Sequence, residues 1–395
     1  MRGLLARSVA WAAVLVGTGT TCGMEPTAVE WTSSVGRVSA GTYYTCAVRP
    51  GGAAYCWGYG YEGQLGSGST ANSSVPVAVS GGLTFSSVTT AVASRGGDTS
   101  CGVTTSGAAY CWGLILDYTA SRPMAVSGGL NFNAVSVGYD HVCGVTTSGA
   151  AYCWGGSPYM QHSLLGDSSI TSSSTPVAVS GGLTFVSASA ANDHTCGLTT
   201  NGAAYCWGGN DYGQLGNGST TASSTPVAVS GGLTFRVVSA GQSHTCGVTA
   251  AGAAYCWGGN DYGQLGIGST TGPEQCRVPQ PVAAPCSTTP VAVSGRLTFA
   301  GVSAGDEHNC GVTSHGAAYC WGLGVLGELG NGSTATISAP VAVSGGLAFA
   351  AVSAGEAHTC GVTTDGAFYC WGDNILGDLG NSSTVSSSTP VLVRF

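Results

Sequence analysis

Sixteen of the chain's 17 cysteines stand in pairs separated by ten residues. Seven of these pairs share one setting: Cys46 and Cys56, Cys101 and Cys111, Cys143 and Cys153, Cys196 and Cys206, Cys246 and Cys256, Cys310 and Cys320, and Cys360 and Cys370. The second member always lies in a Tyr-Cys-Trp-Gly tetrapeptide. Cys276 and Cys286 form one further pair, and Cys22 is left over. Thiols so placed can cross-link, hold a metal or stay buried and free. Zinc sites usually bring two ligands within about two to five residues of each other, and no pair here is that close. The choice between cross-link and free thiol rests on the strands that carry them.

Those strands are written in a repeat. Each Tyr-Cys-Trp-Gly is followed by Pro-Val-Ala-Val-Ser or a close variant, starting at Pro76, Pro123, Pro176, Pro226, Pro290, Pro340 and Pro390. Seven units of roughly fifty residues fill 35–395 and leave no second domain. In the fifth unit four strands are expected: A at 237–240, B at 244–249, C at 254–257 and D opening with Pro290. Pro lacks a donor, which suits a sheet edge or a first strand position. Between B and C, a loop such as Thr105-Ser106-Gly107 suits a three-residue hairpin with Gly at positive φ. Stepping outward from that loop pairs Cys101 with Cys111 and Gly102 with Tyr110, whose ring would lie over the bare backbone. Opposed residues in an antiparallel ladder have Cα atoms about 4.5 or 5.5 Å apart, within reach of a disulfide. One cross-strand disulfide per unit is therefore expected, and Cys276–Cys286 closes its own loop inside an insertion at 271–289.

The motif Val-Ser-Ala-Gly-x-x-His-Thr-Cys-Gly-Val-Thr, followed by Tyr-Cys-Trp-Gly and Gly-Gln-Leu-Gly, resembles the regulator-of-chromosome-condensation repeat. The Trp-to-Gly-Gln-Leu-Gly segment is whole at 207–216 and 257–266. The resemblance covers the chain from about Val35 onward and implies an all-β, seven-bladed β-propeller of four-stranded antiparallel blades. It also implies that the repeated Trp are core residues. Function varies far more than fold in such families. The nucleotide-exchange role of the nuclear founder suits a reduced compartment, and no match to its wedge-like loop is found here.

Composition points elsewhere. Only 7% of residues are charged, Lys is absent, and ten Arg face 18 acids for a net charge of −8. Nucleic-acid binders carry a basic patch, so phosphate backbones are not expected partners. Arg2 and Arg7 precede the apolar run 9–16 and the small residues 17–21, the pattern of an export signal too short to span a bilayer. Residues 1–22 read as a signal peptide or lipoprotein signal, and 23–34 as a linker or an extra strand. Unpaired Cys22 is the candidate lipidation site, although Gly19-Thr20-Thr21 departs from the usual lipobox; plain cleavage nearby is the alternative.

Propeller topology puts A–B and C–D loops on one face and B–C and D–A loops on the other. Asp98, Asp140, Asp193, Asp306, Glu307 and Glu356 fall in A–B loops. Glu62, Asp117, Asp167, Asp211, Asp261, Glu274, Glu328, Asp373 and Asp378 fall in C–D loops, so fifteen of 18 acids share a face. Tyr59, Tyr61, Tyr118, Tyr139, Tyr159, Tyr212 and Tyr262 share it too. Such a face would steer a cationic partner; alternatively, its loops merely solvate an apolar chain. His141, His194, His244, His308 and His358 recur two residues before the B-strand Cys, replaced by Tyr44 and Thr99 in the first two units. A radial repeat separates them, so each is expected to bond a neighbouring backbone rather than share a metal.

No Gly-x-Ser-x-Gly, His-Glu-x-x-His or phosphate loop occurs, and near-identical units do not build the unique constellation that chemistry needs. Neither cofactor nor metal is expected. The expected function is a non-enzymatic, secreted or envelope-attached binding module, monomeric, with an extracellular or cell-surface protein partner. Any membrane association would run through the N-terminal lipid. An envelope or adhesion component acting by multivalency and an enzyme on extracellular polymer are the alternatives.

Overall fold

In the computed structural model, residues 36–92, 98–115, 118–156, 163–276 and 283–395 are described. The export signal with Cys22, the 23–34 segment, Asp117 and Tyr159 lie outside them. Seven antiparallel sheets follow one another along the chain, each formed by consecutive strands A to D in spatial order. Blades 1 to 7 run Arg37–Ala78, Phe85–Ala125, Phe132–Ala178, Phe185–Ala228, Phe235–Ala292, Phe299–Ala342 and Phe349–Leu392. Blades 1 and 7 each contain four strands of their own, so among the described residues the ring closes without a shared strand. In blade 5 the insertion adds a fifth strand, Glu274–Cys276, beside Ala284–Ala292.

The B–C hairpins have the expected register. Cys101 opposes Cys111 and Gly102 opposes Tyr110, and Gly107 turns the loop at φ 89°. All seven blade cystines are formed, with Cα atoms 4.0–4.1 Å apart. In the insertion Cys276 and Cys286 are joined across 5.8 Å; Cys276 opposes Ala284, so these two are offset along the ladder.

Two local expectations are corrected. Strand D does not open with Pro: Pro76 lies inside Ser73–Ala78, within a bulge. Cys56 pairs with Val77 and Gly58 with Ser73, so three residues of D, Pro76 among them, face Trp57 alone. An outer strand with a bulge needs no donor there. Nor does Tyr110 fill the space beside Gly102. A Cβ at Gly102 would meet the ring of Phe85, at 2.7 Å. The same Phe-on-Gly contact recurs in blades 3 to 7, and each Phe packs on its blade's Trp with centroids 5.7–6.1 Å apart. Strand A thus starts earlier than expected, at Phe235 rather than Val237 in blade 5. Blade 1 has Val35 at the Phe position and Ala47 at the Gly position.

Three kinds of bond lock neighbouring blades. Near the axis, a strand-A Ser Oγ accepts the next blade's strand-A N–H: Ser353 from Ala40, Ser136 from Ala190, Ser189 from Ala240, Ser239 from Ala304 and Ser303 from Ala354, at 2.9–3.0 Å. Further out, the His side chains reach the next blade's strand B. The Nε2 of His141 lies 2.6 Å from Thr195 Oγ1, His194 2.9 Å from Thr245, His308 2.8 Å from Thr359 and His358 2.7 Å from Thr45, while His244 is 2.8 Å from Asn309 Oδ1. The partner is a side chain of the next blade, not backbone as expected. Last, each Gly-Gln-Leu-Gly loop clasps the next Trp. Trp257 Nε1–H and Thr245 Oγ1–H both donate to the Gln214 carbonyl at 2.9 Å, and a Cβ at Gly216 would lie 2.6 Å from Trp257 Nε1. Only Gly, here at φ 67°, fits that turn and that approach.

Candidate binding face

The clasp uses only the backbone of the C–D loop, which leaves its side chains free to differ. In blades 4 and 5 the loop reads Asn-Asp-Tyr-Gly-Gln. Asn210 Oδ1 accepts the Leu215 N–H, and Gln214 Oε1 accepts the Tyr212 N–H. The Gln214 amide then donates to Asp193 at 3.3 Å. Blade 1 repeats the last bond across a junction, Gln64 Nε2 donating to Asp98 Oδ1 at 2.9 Å.

Blades 6 and 7 have Glu328 and Asp378 at the Gln position. The clasp persists: the Glu328 carbonyl accepts from Trp371 and Thr359, and the Asp378 carbonyl from Trp57 and Thr45. Glu328 Oε2 accepts the Leu326 N–H as Gln would. The amide donor is gone, and Glu328 Oε1 and both Asp378 carboxylate oxygens are buried without partners. Only 1% of either residue is exposed. Burial pushes Asp378 up to about 8 and raises Glu328.

These two are therefore not surface acids. Asp373 is buried as well and accepts a bond from Ser386 Oγ at 2.9 Å. Asp306 is 6% exposed. These four acids read as part of that face are thus buried, and for Glu328 and Asp378 the loop carbonyl that docks on the next blade draws its own side chain inward. Of the remaining residues read as a face, Asp211, Asp261 and Tyr262 are exposed, and Asp140, Asp193, Glu307, Glu356, Tyr139 and Tyr212 are half-buried.

The acids are also unevenly distributed. Around the axis, A–B loops are chained by backbone bonds: Asp306 N–H to the Gly355 carbonyl at 3.0 Å, then Glu356 N–H to the Gly41 carbonyl at 3.1 Å. Burial, then the charge of Glu307 and Glu356, raises Asp306 to about 8. Burial, then Asp261 and Glu328, raises Glu307 to about 7. Burial also lifts Glu356 to about 7, opposed by a hydrogen bond from Tyr43, a residue the sequence reading did not single out. Asp98 is held up near 6 by burial and Glu62. The clustered carboxylates thus belong to blades 5, 6, 7, 1 and the edge of 2.

The same arc carries exposed apolar side chains. Where blades 4 and 5 have Asp-Tyr at the loop tip, blade 6 has Val325-Leu326 and blade 7 Ile375-Leu376. Ile375 is 63% and Val325 55% exposed; Leu326, Val385, Tyr61 and Tyr262 are exposed as well. Six of the ten exposed large apolar residues lie in C–D loops, and Val75, Met124 and Leu392 sit on outer strands. Sequence reading missed Val325, Leu326, Ile375 and Val385, although lining up the units at Trp-Gly sets the first three against Asp-Tyr. Among the described residues no three His, Cys, Asp or Glu side chains stand close enough to share a metal ion. The recurring imidazoles are spent on blade junctions.

The RCC1-like domain model matches residues 16–348, and the regulator of chromosome condensation (RCC1) repeat model matches 349–377. The chain belongs to the RCC1-like family. Solved structures share the fold at low identity. Prp20p of Saccharomyces cerevisiae, a structure described with its binding to Gsp1p and histones, is 21% identical with a TM-score of 0.68, over 82% of this chain and 81% of that one. Human WBSCR16 is 19% identical with a TM-score of 0.72, over 87% and 95%. The CRINKLY ectodomain of the Arabidopsis thaliana receptor kinase ACR4 is 20% identical with a TM-score of 0.52, over 89% and 100%.

Proposed function

We propose that this RCC1-like propeller is a non-enzymatic binding module working outside the cytoplasm, which engages a protein through the blade 5-to-1 arc of its A–B/C–D face. The observation that carries this reading is the coincidence of exposed Val325, Leu326, Ile375 and Tyr262 with the half-buried acids Glu307 and Glu356. Protein interfaces combine an apolar core with a polar rim, and exposed apolar groups gathered on one face mark such surfaces. The eight cystines support an oxidising compartment. That RCC1-family Prp20p binds protein partners is consistent with this reading.

The test is capture of partners from the producer's exterior by the mature protein, compared with a Leu326→Ser/Ile375→Ser variant. Both side chains are exposed, so stability should change by less than about 0.5 kcal/mol each, while retention of the partner falls at least about tenfold. Undiminished retention would remove this face from consideration.

A further inference from the structure

Charge is segregated across the propeller. Among the described residues, five of six arginines stand at the B–C/D–A end of their blades: Arg37, Arg49, Arg236, Arg296 and Arg394. Arg236 donates to the Phe299 carbonyl, whereas Arg49, Arg296 and Arg394 are exposed. Asp365 is the one described acid in those loops, and with the Phe395 carboxylate it opposes two of the five charges. Strands of six residues, rising about 3.3 Å per residue, hold the two faces about 20 Å apart. That is more than twice the Debye length of about 8 Å at physiological ionic strength, so the acids of the opposite face are screened from this one.

The basic groups flank an apolar step at the closure. Strand D of blade 7 ends at exposed Leu392, and Phe395, 46% exposed, follows three residues later. The Arg49 guanidinium lies over the Phe395 ring, 4.9 Å from its centroid. Tyr55 and Trp57 hold that ring edge-on at 5.4 and 5.9 Å, so cation and aromatic are presented together. Arg37 opposes Val48, the neighbour of Arg49. The chain therefore enters the propeller on this face, and the sequence preceding Arg37 contains the export signal and Cys22. We propose that the B–C/D–A face rests on an anionic lipid surface, with Leu392 and Phe395 at the headgroup boundary and Arg49, Arg296 and Arg394 over lipid phosphates.

Aromatic rings favour the headgroup level of a bilayer, and each arginine near an anionic leaflet strengthens binding about fivefold. A single lipid chain anchors a protein only marginally, and a basic patch supplies the second signal that stable attachment needs. An acidic protein would meet the same charges, but entry of the chain on this face, behind the candidate lipidation site, favours lipid. The inference does not depend on the partner face: it turns that face away from the membrane.

The experiment measures partitioning of the mature, disulfide-intact protein onto phosphatidylcholine vesicles with and without one-third phosphatidylglycerol, by co-sedimentation at physiological salt. The expected result is at least about tenfold stronger partitioning onto the anionic vesicles, shrinking toward unity at high salt. A lipid on Cys22 would raise both values alike, so the ratio reads the face. Arg296→Gln/Arg394→Gln should cut that ratio at least about fivefold, while Arg122→Gln, on an outer strand, should leave it unchanged. Equal partitioning of the unaltered protein would overturn the proposal, as would an equal loss with Arg122→Gln. Binding to dextran sulfate without preference for the anionic vesicles would assign the face to a soluble polyanion and overturn the lipid reading.

Discussion

The junction between blades 7 and 1, where the last blade meets the first, is built more completely than the junction between blades 2 and 3, which the chain crosses without a break. At the closure all three locks are present: Ser353 with Ala40, His358 with Thr45, and the Asp378 carbonyl with Trp57. Between blades 2 and 3 the sequence has Thr89 for the Ser, Thr99 for the His and Val142 for the Thr. The blade 2 loop has no Gly-Gln-Leu-Gly, its strands C and D pairing closely instead, as in Leu114 with Thr119. Thr99 Oγ1 turns back to the Leu114 carbonyl within its own blade. Trp154 of blade 3 is 5% exposed, whereas the other six motif Trp are sealed. Losing donor and acceptor together avoids leaving a buried polar group unpaired, so the exception is consistent at each position. A ring needs its locks most where no peptide bond holds the ends. The proposed partner arc spans the locked closure, so its acids and apolar tips sit on blades joined by all three locks, an arrangement that would lower the entropic cost of association.

Breaking the clasp gives the largest difference between the two junctions. Trp57→Ala removes a sealed side chain and its bond at the closure and should cost about 3–5 kcal/mol in urea unfolding. Trp154→Ala removes a ring whose preceding blade lacks the clasping loop, and its cost should fall at the low end of that range or below. Equal losses would mean that the clasp contributes nothing beyond ring burial.

How far such differences were legible in the sequence depends on whether they are local. The cystines were readable because a three-residue hairpin loop sets residues ten apart opposite each other. Phe85 and its equivalents could have been found from the recurring Leu-Thr-Phe and from Val35 varying together with Ala47. The buried Glu328 and Asp378 could not, since an acid in a loop looks like a solvating residue until its carbonyl is seen docked on the next blade. The His partners were missed for the same reason: Thr45 and Thr359 lie on other blades, and only the closed ring brings them within reach.

The next effect in size belongs to pH, and its histidine part acts at the locked junctions. Where Thr45, Thr245 and Thr359 donate to a carbonyl, their hydroxyl accepts from the His Nε2–H, and the Asn309 amide does the same for His244. Nδ1 of His141, His244 and His308 is buried without a partner, and that of His194 stands 3.5 Å from Asp193 Oδ1. Burial holds His141 and His308 down to about 3, and His244 and His358 to about 4. A histidine depressed below its unfolded value contributes stability that is complete above about pH 6.5 and is lost as pH falls toward the folded value. The raised acids act in the opposite direction. Asp98, Asp306, Glu307, Glu356 and Asp378 favour the fold most below their unfolded values and lose that contribution as pH rises through about 6 to 8. Four histidines and five acids nearly cancel in between. The melting temperature should hold a plateau from about pH 4 to about pH 6.5 and decline on either side. Asp378→Asn should make the decline above about pH 6.5 shallower, and a single maximum above pH 8 would contradict the buried carboxylates.

The smallest effect is the most discriminating, because it builds a lock instead of removing one. Thr99→His with Val142→Thr supplies blades 2 and 3 with the pair found at the other junctions. The new imidazole would be buried and neutral at about pH 7.5, so its bond to the introduced hydroxyl should add about 0.5–1.5 kcal/mol. Each single change should give less: Val142→Thr alone buries an unpaired hydroxyl and should destabilise, and the coupling between the two is the quantity to read from the double-mutant cycle. The gain should also disappear below about pH 5, as the histidine demands a proton that its site rejects. A cycle with no coupling would show that blades 2 and 3 stand too far apart for the lock, and that their separation rather than their sequence sets this junction apart.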